Sequence, residues 1–135
     1  MSYSHSHAKS MKTPLGIVRG LGSAKNGTAH WWAQRTTAIA LFPLGLWFIW
    51  CVLPHAGPDY AAFIAYLQCP CETVLMILLI GASLYHGQLG LQVVIEDYVH
   101  CDALKIILIL GVKALVLVLG VWGVLSVLII QFKHV

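Results

Sequence analysis

The sequence predicts an all-α membrane protein that crosses the bilayer three times. Three observations carry this. Of its 135 residues 59% are hydrophobic and only 10% charged, and the mean hydropathy is +0.83. A soluble core of this length cannot absorb so much apolar surface, because small domains leave much of their area in contact with solvent. The apolar residues fall into three runs, over about 36–53, 73–95 and 106–130, each near the roughly 20 residues that span a hydrocarbon core about 30 Å thick. None shows the ten-residue alternation of a barrel strand, so backbone amides in lipid must be satisfied within helices.

Residues 1–30 are polar and basic, with no apolar h-region before a cleavage site, and read as a solvated arm ahead of a three-helix unit over 31–135. Trp31 and Trp32 stand at the mouth of the first span, where an interfacial aromatic belt belongs. Pro43 is expected to kink that span without ending it, and Pro54 to close it. The stretch 54–72 is read as a loop. It contains Cys69 and Cys71, whose spacing is too tight for an easy disulfide and lacks the partners of a zinc site. Neither repeats nor a second domain are evident.

Lys9, Lys12, Arg19, Lys25 and Arg35 precede or open the first span, whereas 54–72 has no Lys or Arg. The positive-inside rule therefore puts the amino terminus in the cytoplasm of a bacterial inner membrane, or in the matrix were the protein mitochondrial. The turn at 96–105 is then inside, and 54–72 and the Lys133 tail outside.

The second span carries the chemistry. His86 precedes Asp97 by eleven residues, three helical turns plus about 20°, so both share a face about 16 Å apart along the axis. Asp97 lies near the inner boundary and His86 near the midplane. Ser83, Gly87 and Gly90 flank the histidine and leave room for something flat and large. Position alone admits three readings: a cross-helix hydrogen bond, a proton relay, or an axial ligand to haem. A single histidine at this depth supplies one ligand, so a bis-histidine haem needs a partner chain. Arg35 is either a snorkelling anchor or a bidentate clamp for a carboxylate such as a haem propionate. Lys113 snorkels toward the inner interface or pairs with a propionate or acid. Tyr98 is either a belt residue or a hydrogen-bond donor to a quinone carbonyl, with Asp97 beside it able to relay protons.

The pattern His86–Asp97–Tyr98 on the second of three spans, with the entry GSAKNGTAHWWAQRTTAIAL before the first, resembles the smaller hydrophobic membrane-anchor subunit, a cytochrome b anchor, of succinate dehydrogenase, respiratory complex II, in its alphaproteobacterial style. The resemblance runs from about Arg19 onward; the third span matches in character only. It implies that His86 is one axial ligand of a haem b shared with a second cytochrome b anchor subunit, the two packing into one helical bundle. It places Arg35 and His30 near the propionates, and Tyr98 and Asp97 at a site where ubiquinone is reduced. By the same resemblance, FAD and iron–sulfur clusters belong to flavoprotein and iron–sulfur partner subunits. This chain has no flavin fingerprint and no cysteine cluster for them. Membrane lipids are the other partner, and nucleic acid is not expected. The alternatives are a small transporter or proton channel using His86 and Lys113, a scaffold recruiting soluble partners through its basic arm, or the anchor of a related fumarate reductase. Inverted repeats would favour the transporter, and none is visible.

Overall fold

The computed structural model describes residues 27–132, apart from Ala56 and Pro58. The basic arm as far as residue 26 and the tail at 133–135 lie outside the described residues. What is described is helical almost throughout, with no strand among the described residues.

Helix α1, Gly27–Trp47, opens well ahead of the apolar run it carries. Its first two turns include His30 and Gln34, whose polar side chains do not disturb a backbone that hydrogen-bonds internally. Pro43 lies inside the helix, which continues past it. The chain then widens into a π-helical turn, Phe48–Val52, where the Leu53 N–H donates to the Phe48 carbonyl, before a 3-10 turn at Leu53–His55. Together these make a continuous helical stretch, Thr28–His55, of crossing length. His55 ties its end, donating from Nδ1 to the Cys51 carbonyl at 2.7 Å.

The stretch read as a loop contains a further helix, α2, Tyr60–Leu67. Asp59 caps it, its carboxylate accepting from the Ala62 N–H at 3.1 Å. Ile64 and Leu67 on its inner side are buried against the neighbouring helices. Asp59 directly before an apolar eight-residue run was the available signal.

Helix α3, Pro70–Tyr98, starts with proline in its first turn, where the missing N–H costs nothing, and carries Glu72 there, favoured by the helix dipole. Helix α4, Asp102–Phe132, likewise opens on an acid. At 29 and 31 residues they are about 43 and 46 Å long, more than the hydrocarbon core requires. They run antiparallel and meet through small residues. A Cβ placed on Gly120 would lie 3.6 Å from the Leu84 side chain, and one on Gly123 3.2 Å from Ile80. Without a hydrophobic drive between helices in lipid, such close approach is what holds them. Helix α1 packs on the other side of α3, so α3 is central, and α1 and α4 do not touch among the described residues.

The helix ends around residues 47–73 are tied by polar contacts. The Glu72 carboxylate accepts from Trp47 Nε1 at 2.9 Å and from the Tyr66 hydroxyl at 2.7 Å. The His55 ring stacks on Tyr66 with centroids 4.3 Å apart. Buried Thr73 bonds the Leu67 carbonyl at 2.9 Å and the side-chain oxygen of Gln131. Burial, and the hydrogen bond and charge of Glu72, push the Tyr66 phenol up to about 12. Few side chains are buried in this single chain, and large apolar residues such as Phe42, Leu117 and Trp122 face outward. That outward apolar surface suits a lipid environment. All four cysteines are free and exposed.

Candidate functional site

His86 sits just past the middle of α3, partly buried, on the side facing α1. Opposite it, α1 presents His30, Gln34 and Thr37, at the i, i+4 and i+7 positions of one helix face. Around His86 the two helices meet in two places. The Thr37 hydroxyl oxygen is 2.9 Å from His86 Nδ1. One turn along, toward the start of α1, Gln34 lies against α3 at Gly90, where an added Cβ would be 3.7 Å from the amide nitrogen. An added Cβ at Gly90 would make an ordinary van der Waals contact with Gln34, so α1 and α3 touch there without crowding. The other two small neighbours do something different. Ser83 and Gly87 are exposed, and a Cβ on Gly87 would meet nothing within 4 Å. The flank of α3 next to His86 is open.

Thr37 has two further oxygen neighbours, the Ala33 carbonyl at 2.8 Å and the Gln34 carbonyl at 3.0 Å. Two polar atoms in the same interface have no hydrogen-bond partner although they are buried: His30 Nε2 and Gln34 Oε1. Such orphaned groups are uncommon, since a buried polar atom without a partner costs about 1–3 kcal/mol. This polar strip between α1 and α3 is the most unusual feature of the chain's membrane-spanning part.

The remaining residues singled out from sequence are not gathered around His86. Arg35 is exposed, with its guanidinium 5.2 Å above the Trp31 ring, a cation–π contact near the start of α1. Asp97 and Tyr98 end α3, both exposed, with Tyr98 78% accessible. Glu96 in the same turn accepts from Gln92 at 2.8 Å. Lys113 is exposed on α4. Thr37 and Gln34 escaped the sequence reading. A threonine in an apolar helix ordinarily bonds only its own backbone, and nothing local marks one that also reaches a neighbour.

Among the described residues no three His, Cys, Asp or Glu side chains converge as a metal site. Two apolar cavities lie elsewhere. One of about 470 Å³ lies between α2 and the end of α4, lined by Tyr60, Ile64, Gln68 and Ile129 among others; another of about 450 Å³ is an open groove between α3 and α4, at Gly81, Tyr85 and Gly120.

Comparison with known proteins agrees with this architecture. The family described as succinate dehydrogenase/fumarate reductase transmembrane subunit matches residues 9–127. The chain is 41% identical over 96 residues to a succinate dehydrogenase hydrophobic membrane anchor subunit of Rickettsia bellii, covering 71% of this chain and 77% of that one. The protein of the same description from Rickettsia conorii is 37% identical over 103 residues, 76% of this chain and 82% of the relative. That from Paracoccus denitrificans is 31% identical over 100 residues, 74% and 78% respectively. Three helices long and apolar enough to cross a membrane, one family model over most of the chain and these relatives lead to one conclusion: the chain belongs to the succinate dehydrogenase/fumarate reductase transmembrane subunit family, as a multi-pass membrane anchor of that enzyme complex.

Proposed function

We propose that this anchor binds haem b through His86, jointly with a second cytochrome b anchor subunit, and forms part of the site where ubiquinone is reduced. The observation that carries it is His86 itself: an imidazole deep in the central helix, one ring nitrogen held by Thr37, beside an open flank. The residues fit a haem on both counts. The exposed Gly87–Ser83 flank leaves space for a flat macrocycle, and a neutral imidazole with one nitrogen tied has the other free for iron. When bound, haem would supply a one-electron acceptor in the low-dielectric middle of the bundle. Because this chain offers one such histidine, a second histidine to the iron would have to come from the partner anchor.

Toward the inner end, Arg35 is placed to pair with a propionate, at the cost of its cation–π contact with Trp31, and His30 offers an unpartnered Nε2 to the same group. One turn past the end of the hydrocarbon region, the Tyr98 hydroxyl donates to a ubiquinone carbonyl, which lowers the cost of negative charge developing on that oxygen. Asp97, at the water boundary, passes protons to the reduced oxygens. Reduction to quinol takes two electrons and two protons. The electrons come from succinate through the flavoprotein and iron–sulfur subunits, docked on the side of the turn between α3 and α4. We place that side in the cytoplasm of a bacterial inner membrane, with the amino terminus, on the distribution of Lys and Arg.

The test is isolation of the intact complex through a tag on this chain, followed by identification of the accompanying chains and a dithionite-reduced spectrum. A b-type haem band together with flavoprotein, iron–sulfur and second anchor chains is expected. A complex with those chains and no b-type haem would remove His86 from this role.

A further inference from the structure

We propose that Thr37 is the positioning residue for His86: it keeps the imidazole proton on Nδ1 and the lone pair on Nε2, turned away from α1. The inference rests on the haem-ligand reading above and extends it to a residue on a different helix.

A count of protons assigns the tautomer. The Thr37 oxygen lies within hydrogen-bond distance of three atoms: the Ala33 carbonyl at 2.8 Å, the Gln34 carbonyl at 3.0 Å and His86 Nδ1 at 2.9 Å. A hydroxyl has one proton to donate and two lone pairs to offer. Both carbonyl oxygens can only accept. Were the hydroxyl to donate to Nδ1, its oxygen would sit 2.8 and 3.0 Å from two carbonyl oxygens with no proton between them, an arrangement of facing lone pairs. The proton therefore goes to the carbonyls, shared or alternating between them, and the oxygen presents a lone pair to the ring. A neutral imidazole facing a lone pair must carry its hydrogen on that nitrogen, so Nδ1 donates and Nε2 is the basic nitrogen.

The arrangement is also stiff. Threonine is branched at Cβ and has few rotamers in a helix, and this rotamer is pinned by the backbone of its own preceding turn. The contact joins residues 49 apart in sequence, so the ring orientation is set by α1 while the ring is carried by α3. One turn away, Gln34 also lies against α3 at Gly90. Partners of this kind on a ligand histidine fix ring orientation, raise ligand basicity and are typically worth 10–100-fold in metal affinity.

The experiment uses the intact complex and three variants. Thr37→Val keeps the shape and removes the oxygen; Thr37→Ser keeps the oxygen. Haem content after detergent titration and the haem midpoint potential are read for each. Thr37→Val should lose haem roughly 10–100-fold more readily, and its remaining haem should shift to a higher potential as the ligand becomes less basic. Thr37→Ser should restore both. Wild-type retention and potential in Thr37→Val would overturn the proposal, and so would a Thr37→Ser variant that behaves like Thr37→Val. If Thr37→Val does not assemble, Thr37→Ala is read by the same criteria. A wild-type complex lacking b-type haem would instead sink the haem reading, so the two failures are separable.

Discussion

Trp47 on α1 donates from its indole nitrogen to the Glu72 carboxylate on α3 at 2.9 Å, fastening the end of one membrane helix to the start of the next. Tyr66 donates to the same oxygen at 2.7 Å, so one acid joins α1, α2 and α3. Glu72→Ala removes the acceptor from both donors at once. Hydrogen bonds to charged groups contribute about 1.5–3 kcal/mol each when well formed; for this half-buried pair a loss on the order of 2 kcal/mol is expected. Thermal unfolding of the purified complex checks it, with Glu72→Gln, which keeps one oxygen, falling between the variant and wild type.

The same contact sets a pH dependence. The Tyr66 phenol ionises at about 12 in the folded chain, above the value of about 10 for a free tyrosine. Its pKa is raised on folding, so its contribution to stability is fully present below about pH 10 and is lost as pH rises through about 12. A spectroscopic tyrosine titration should show a late-ionising phase from Tyr66. Tyr66→Phe should remove that phase, and Glu72→Ala should move it down toward the ordinary value.

Two glycines should separate packing from cofactor space. A Cβ on Gly123 already presses on Ile80 at 3.2 Å, so Gly123→Leu wedges α3 from α4. Overpacking of this kind typically costs about 1–3 kcal/mol, read as a lower unfolding temperature with haem content per assembled complex unchanged. Gly87 has nothing within 4 Å of an added Cβ. Gly87→Leu should leave assembly intact and lower haem content, because its side chain enters the flank beside His86.

The native cysteines test orientation without new ones. Cys69 and Cys71 lie at the start of α3 and Cys101 just before α4, all exposed. Variants retaining Cys69 alone or Cys101 alone, treated with an impermeant maleimide on intact cells, should label at Cys69 and stay unlabelled at Cys101 until the membrane is opened. The reverse pattern would invert the topology.

Tyr98→Phe removes one hydroxyl and keeps the ring. Succinate-driven quinone reduction should fall roughly tenfold or more, the kinetic equivalent of about 1.4 kcal/mol. Electron transfer to a dye that accepts upstream of the quinone should persist. A normal rate and apparent quinone affinity would make Tyr98 a belt residue.

The three crossing helices were legible in the sequence because lipid leaves the backbone one economical choice, and His86 because an imidazole stands out in an apolar run. The family pattern pointed to Asp97 and Tyr98 at the end of α3, where the structure has them exposed. Helix α1 begins earlier than its apolar run because hydropathy marks the lipid-facing length, whereas the helix continues through His30 and Gln34 once its backbone is paired. Helix α2 was hidden in a segment that lacks Lys and Arg and is interrupted by Pro54, Pro58 and Pro70. Thr37, Gln34 and the Trp47–Glu72 tie depend on contacts between residues 25 to 56 apart, and no local periodicity encodes them.

The central claim is that His86 is an axial ligand of haem b, and the most direct measurement is the reduced-minus-oxidised spectrum and haem midpoint potential of the intact complex carrying His86→Leu. The account predicts that the b-type band is lost or that the haem remaining has altered ligation and a shifted potential, while the complex still assembles through contacts such as Gly120 against Leu84. An unchanged spectrum, haem content and potential in an assembled His86→Leu complex would contradict it.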